Sequence, residues 1–385
     1  MSLKSLSRLT FARATALAAC LLGLSIYVSG CASGVEQPKP AELGPNAALI
    51  GVRLAWTAKI GPVSFPMDVK VTGTTITVAG TDGSVAAIDA RTGGDLWRAS
   101  VGASVAAGVG SDGRYAAVVT QSNELVVLDA GRELWRQKLA ALSFTAPLVA
   151  GARVFTLSAD RSVSAFDAQT GRKLWSQTRP GEPLVLRQAG VMLAVGDTLV
   201  VGLAGRLVGM NPQNGSSRWE APIATPRGTN DVERLVDLVA HVSREGDVVC
   251  VRAFQAAVGC VNASTGAIAW TKPASGSEGL HGDDRFVYGS ESDGKIIAWQ
   301  RTDGEQAWVS ERLKFRGLTA PLAVGRSVAI GDSTGLLHLL SREDGSPMNR
   351  ISTDGSAIAT APVLAAGDTL VVVTRAGGIF GYRPQ

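Results

Sequence analysis

A motif about forty residues long recurs along this 385-residue chain, and its period limits the folds open to it more than any other feature. The clearest copy runs Val154-Phe155-Thr156-Leu157-Ser158, Ala159-Asp160-Arg161, Ser162-Val163-Ser164-Ala165-Phe166-Asp167, Ala168-Gln169-Thr170-Gly171 and Arg172-Lys173-Leu174-Trp175. Within each short run apolar and polar residues alternate, the period of a half-buried strand. Between runs stand residues that tolerate positive φ and suit hairpin twist, as in Asp82-Gly83, Asp293-Gly294 and the Thr-Gly pairs. A tryptophan follows the second glycine by four residues: Trp97 after Gly93, Trp135 after Gly131, Trp175 after Gly171, Trp219 after Gly215, Trp270 after Gly266 and Trp308 after Gly304. After Gly345 the same position holds Asn349. From Trp56 to Asn349 the intervals are 41, 38, 40, 44, 51, 38 and 41 residues. Helical repeats of similar period lack hairpin turns and β-branched alternation, so the spacing predicts an all-β chain, a β-propeller of four-stranded antiparallel blades.

The two ends of the repeat set the number of blades. A last unit, residues 360–383, has two apolar runs beginning at Thr369 and Gly378 but stops before any tryptophan, while Trp56 has no turn unit before it. Together they make one blade. An eight-bladed ring closed by the N-terminal strand is therefore expected, which hides the sheet edges that an open array would expose. Each tryptophan is expected between neighbouring blades, burying on the order of 150–250 Å². Trp299 is out of register but matches the apolar position of Ile88 and Phe166, and is expected in the core as well.

Residues 1–30 read as a leader rather than part of the fold. Lys4, Arg8 and Arg13 precede a largely apolar run over 14–28, too short to hold a permanent membrane helix of ~20 residues. Val28-Ser29-Gly30-Cys31 follows the pattern of a lipoprotein signal, which makes Cys31 the expected lipidation site and first mature residue. Several acyl chains on one cysteine give a lasting anchor where a single chain does not, and Ala32 in place of an Asp implies sorting to the periplasmic face of the outer membrane. Pro38, Pro40 and Pro45, with no apolar periodicity around them, mark 31–48 as a tether, leaving 49–385 for the propeller. Setting the leader aside leaves 34 of the 37 basic residues against 33 acidic ones. That balance argues against nucleic acid as a partner.

Cys20 belongs to the leader and Cys31 completes the lipoprotein signal, whereas Cys250 and Cys260 flank a hairpin turn at Phe254-Gln255-Ala256. An exported chain permits a disulfide between them. A two-residue turn at Gln255-Ala256 pairs Cys250 with Val261 and turns Cys260 to the other face, while a one-residue shift brings the cysteines into register.

The string Asp-x-x-Thr-Gly-x-x-x-Trp, at 89–97 and 167–175, resembles the repeat of pyrroloquinoline-quinone dehydrogenases. Those enzymes combine the ring with adjacent cysteines, calcium ligands and often a haem attachment site. Here no Cys-Cys, C-x-x-C-H, G-x-S-x-G, H-E-x-x-H or P-loop occurs, and His241, His281 and His338 fall in different repeats. The chain is accordingly read as no enzyme, with no cofactor and no metal. A closer resemblance is to BamB, the lipoprotein family of the outer-membrane β-barrel assembly machine. Besides the lipoprotein signal and the closed eightfold repeat, Thr229-Asn230-Asp231-Val232-Glu233-Arg234-Leu235-Val236-Asp237 is similar to that family's acidic-Arg-Leu-x-Asp stretch. Gly331-Asp332-Ser333-Thr334-Gly335-Leu336-Leu337-His338 resembles its Gly-Asp-Ser-x-Gly-Tyr-Leu-His.

What the resemblance implies is a scaffold that binds the periplasmic domains of the barrel-forming subunit, BamA, and helps present unfolded outer-membrane proteins. In the family the contact uses a Leu-x-Leu-Arg segment and acidic residues of a later loop. These correspond to Leu184, Leu186, Arg187 and Asp237, with Val239 where the family has a further Asp. Spacing points to the same place. The long intervals, 44 and 51, put extra residues between a tryptophan strand and the next blade. Such connections emerge on one face of a ring, so 178–187 and 220–237 are expected side by side as one patch. The alternative readings are a quinoprotein-like dehydrogenase and a propeller serving another envelope partner.

Overall fold

The computed structural model describes residues 38–179, 184–227 and 229–385; Cys31 and the leader lie outside them. The chain divides into Met1–Lys39 and Pro40–Gln385, and the architecture below is that of the second unit.

Eight four-stranded antiparallel sheets make up the ring. Seven take their strands in chain order, from blade 1 (Lys70–Thr72 to Asp95–Ser100) to blade 7 (Leu322–Val324 to Pro347–Ser352). The eighth combines Val363–Ala365, Thr369–Val373 and Gly378–Pro384 with the N-terminal strand Val52–Lys59. That strand runs antiparallel to the last one, Val52 opposite Pro384 and Lys59 opposite Gly378, and closes the ring as expected. First strands of neighbouring blades meet around the axis. The core lies between blades: Val119 and Val127 of blade 2, for example, pack with Val154 and Phe166 of blade 3. Trp299 is buried in such a cluster.

The glycine and tryptophan four residues apart do not pair with each other; each reaches into a different seam. The indole of one blade lies on the Thr-Gly turn of the next: Trp56 on Gly93, Trp97 on Gly131, Trp135 on Gly171, Trp175 on Gly215, Trp219 on Gly266, Trp270 on Gly304 and Trp308 on Gly345. A Cβ on any of these glycines would fall 2.5–3.1 Å from a ring atom, and all seven have positive φ. Both the space and the backbone therefore demand glycine. Five indoles also donate to a carbonyl of the next blade, as Trp56 Nε1 does to Ala90 O at 2.8 Å and Trp308 Nε1 to Arg342 O at 2.8 Å.

This contact explains Asn349. Blade 8 takes its outer strand from the N-terminus, so it has no turn between third and fourth strands for a seventh-blade indole to lie on. Asn349 instead fastens the incoming chain: its Nδ2 donates to Ile50 O at 2.8 Å, and its Oδ1 accepts from Asn46 Nδ2 at 2.9 Å. The tether read as 31–48 is not free to its end. Ala41 N–H bonds Lys314 O, Arg350 holds Gly44 O, and Leu49 N–H bonds Met348 O. Residues 41–49 thus form a strap along blade 7.

Blade 5 settles the cysteine register. Ala253 pairs with Ala257 across a three-residue turn, which sets Cys250 directly opposite Cys260, and their sulfurs are bonded.

Candidate protein-binding site

Two connections, from blade 3 to blade 4 and from blade 4 to blade 5, come together on one face of the ring. Arg179, at the start of the first, is ion-paired with Glu220, in the strand Ser217–Pro222 that leads into the second. Further on, Asp237 reaches back: its Oδ2 accepts the Leu186 N–H at 3.0 Å. One carboxylate thereby fixes an extended segment with no sheet neighbour at that point. Beyond it Gly190 bridges to Val239, and Gln188 Nε2 donates to Ser277 O at 2.7 Å.

The four expected residues take unequal parts. Leu184 is exposed, at 38%. Leu186 is half-buried and lines a cavity of about 60 Å³ with Phe144 and Leu157, so the two leucines do not face outward together. Arg187 is exposed, and its guanidinium lies 5.6 Å from the ring centre of Phe144, a cation–π arrangement. Asp237 does not orient Arg187 but faces Arg161, whose Nη2 is 3.8 Å from Oδ1. Val239 is buried and adds nothing to the surface. The second connection adds an exposed apolar residue, Val232, at 70%. It sits in a turn whose ends are tied by Thr229 N–H to Glu233 Oε2 and Glu233 N–H to Asn230 Oδ1.

Two residues of the site escaped the sequence reading. Phe144 lies in the connection before blade 3, which is of ordinary length and gave no signal. Arg161 did leave one. It occupies the turn between second and third strands where Gly83, Gly294, Gly335 and Gly377 stand in other blades, each with the same N–H bond to the carbonyl three residues back. Its φ is +61°, a region that disfavours side chains. The buried guanidinium makes use of that position, donating to Leu184 O at 3.4 Å and facing Asp237. Exposed apolar groups on a hydrogen-bonded frame, rimmed by charge, suit a protein partner.

A family profile described as outer membrane protein assembly factor BamB matches residues 81–310. The outer membrane protein assembly factor BamB of Burkholderia pseudomallei is 36% identical over 371 residues, covering 95% of this chain and 97% of that protein. The chain belongs to the BamB family. Among solved structures, BamB from Moraxella catarrhalis superposes with a TM-score of 0.79 at 22% identity, over 86% of this chain and 99% of that one. A quinohemoprotein alcohol dehydrogenase from Comamonas testosteroni gives 0.67 at 16% identity, over 89% of this chain and 78% of that one. At these identities both speak for the fold alone.

The two segments that resemble the BamB family serve different ends. Residues 229–237 build the patch. Residues 331–338 build a buried network instead: Asp332 accepts from Arg316 Nε at 2.8 Å and from Thr334 Oγ1 at 2.7 Å, and lies 2.9 Å from His338 Nε2. Burial pushes this carboxyl up, but the hydrogen bonds from His338, Thr334, Leu336 N–H and Arg316 outweigh it and hold it far below the usual range. Arg316 also donates to Ala41 O at 3.0 Å, so the network holds the strap. Among the described residues no three His, Cys, Asp or Glu side chains converge as a metal ion requires.

Proposed function

We propose that this chain is a non-catalytic scaffold of outer-membrane protein assembly, held at the periplasmic face of the outer membrane by lipid on Cys31. In this reading it docks the periplasmic domains of the barrel-forming subunit, BamA, through Leu184, Leu186, Arg187 and Asp237, and helps present unfolded outer-membrane proteins. The observation that carries it is the Asp237–Leu186 hydrogen bond: it holds a loop segment in one shape, so that Leu184 and Arg187 are displayed without an ordering cost at binding. Truncating a central apolar anchor costs ~2 kcal/mol or more, so capture of those domains should fail for Leu184→Ala combined with Leu186→Ala and weaken for Arg187→Glu. Undiminished capture by the folded triple variant overturns the site. Membrane fractionation of Cys31→Ala tests the anchor, and a soluble, unmodified mature wild type overturns it.

A further inference from the structure

In an eight-bladed ring blades 1 and 5 face each other across the axis. Asp68 stands just before the first strand of blade 1, and His241 lies in the first strand of blade 5, yet His241 Nε2 is 2.9 Å from Asp68 Oδ1. Two irregularities bring them there. Among the pairs of first and second strands, the register shifts only in blades 2 and 5. In blade 5 the shift between Val239 and Ser243 frees Ala240-His241-Val242 from pairing. Gly279 packs behind the freed segment, so close that a Cβ there would fall 1.8 Å from His241 N. In blade 2 the shift frees Gly108 and Val109 to hold the other partner: Asp68 N–H bonds Gly108 O at 2.8 Å, and Val109 N–H bonds Asp68 O at 3.1 Å. The pair lies on the wall of an axial cavity of about 550 Å³, which Glu278 and His281 also line.

We propose that Asp68 and His241 form a clasp across the axis, tying opposite blades together, with a strength set by the protonation of His241. The clasp does not depend on the partner patch. Lys70 acts on both members, Glu278 and His281 face His241, and Arg252 and Arg375 act on Glu278. Burial opposes charge on His241, but the Asp68 carboxylate and its hydrogen bond outweigh this, with help from Glu278, and raise it above the usual imidazole range. Burial likewise pushes Asp68 up, and the His241 charge and hydrogen bond more than reverse it, leaving Asp68 below the usual carboxylate range. The sign follows from linkage. His241 contributes fully below its unfolded value, and the contribution is lost as pH rises through the folded one; Asp68 contributes above its unfolded value and loses this as pH falls. The clasp is therefore tightest between the ordinary carboxylate range and the raised histidine value. Glu278, raised by burial, adds a separate stability cost as pH rises above its ordinary range, so the effect must be read as a difference between proteins.

Only three histidines occur in the chain, so ring-proton NMR can follow each, with His241→Gln assigning the signal. In wild type His241 should titrate above the ordinary imidazole value of about 6.5. His281, pushed down to about 4 by burial and by the charges of His241 and Arg301, should titrate well below it. Asp68→Asn should move the His241 titration to lower pH, since the carboxylate charge and its hydrogen bond are what raise it. It should also be less stable than wild type near about pH 5.5, the gap narrowing once His241 loses its proton. A wild-type His241 at or below its ordinary value overturns the clasp even if no variant folds, as does an unmoved His241 in folded Asp68→Asn or a stability gap independent of pH.

Discussion

Replacing Arg161 with glycine separates folding from docking. The wild-type residue is held at φ +61°, where an L side chain costs about 1 kcal/mol that glycine does not. Glycine returns much of that gain, since its freer unfolded chain costs roughly 0.5–1 kcal/mol on folding. What remains is the loss of the guanidinium's contacts, among them those with Leu184 O and Asp237. The 3.4 Å contact belongs at the lower end of the range for charged hydrogen bonds, about 1.5 kcal/mol, and the 3.8 Å ion pair with Asp237 adds little to it. The ring as a whole should therefore lose roughly 1–2 kcal/mol, a Tm shift of a few degrees for a domain of this size. The local effect is larger in kind. With the Leu184 carbonyl released, the segment keeps the Leu186 N–H bond to Asp237 but is held less firmly at Leu184, and part of its ordering falls on the binding step. Arg161→Gly should thus melt close to wild type while its capture of the partner's periplasmic domains drops about tenfold or more, equivalent to ~1.4 kcal/mol. Calorimetry and titration of one preparation read both quantities, and amide exchange at Leu186 reports the loosening directly. Unchanged affinity together with unchanged Leu186 exchange refutes the assignment of Arg161 as a positioning residue.

Two further substitutions test the ring. Asn349→Trp restores the repeat but places an indole where no Thr-Gly turn exists and where Ile50 and Asn46 already bond the side chain, so it should destabilise by about 1–3 kcal/mol in denaturant melts. Deleting Val52–Lys59 strips the outer strand from blade 8 and removes Trp56 from Gly93, a loss of at least the ~3–5 kcal/mol of one core tryptophan. A Tm within about 3 °C of the parent would place closure elsewhere.

The ring was legible in the sequence because one period carries so much of it: seven of the eight seams use the same glycine and the same tryptophan. Even the eighth could be counted, since the unfinished unit at 360–383 and the orphan Trp56 complete each other. Legibility failed where a contact joins unlike parts of the chain. Phe144 sits under Arg187 from a connection of ordinary length, and nothing local distinguishes it. Asp68 and His241 meet across 173 residues through shifts of register in two strands, whereas the alternation of apolar residues reports faces and not breaks in pairing. The disulfide turned on one residue of turn length, which composition alone left open.

Departures from the repeat nonetheless share a logic. A residue copied from blade to blade makes a contact that every such seam offers, as the tryptophans do in building the ring. A residue that breaks the pattern loses that shared contact, and here a non-repeating part of the chain replaces it. Asn349 stands for a tryptophan and receives the strap; Arg161 stands for a glycine and receives the Leu184 carbonyl. His241 leaves its sheet and receives Asp68. In each case the replacement partner comes from a connection, the N-terminal segment or the opposite blade, so the broken position ties together parts of the chain that the period alone leaves independent. A search for function in such rings should therefore begin with the position where the repeat carries the wrong residue, and ask what holds that residue in place.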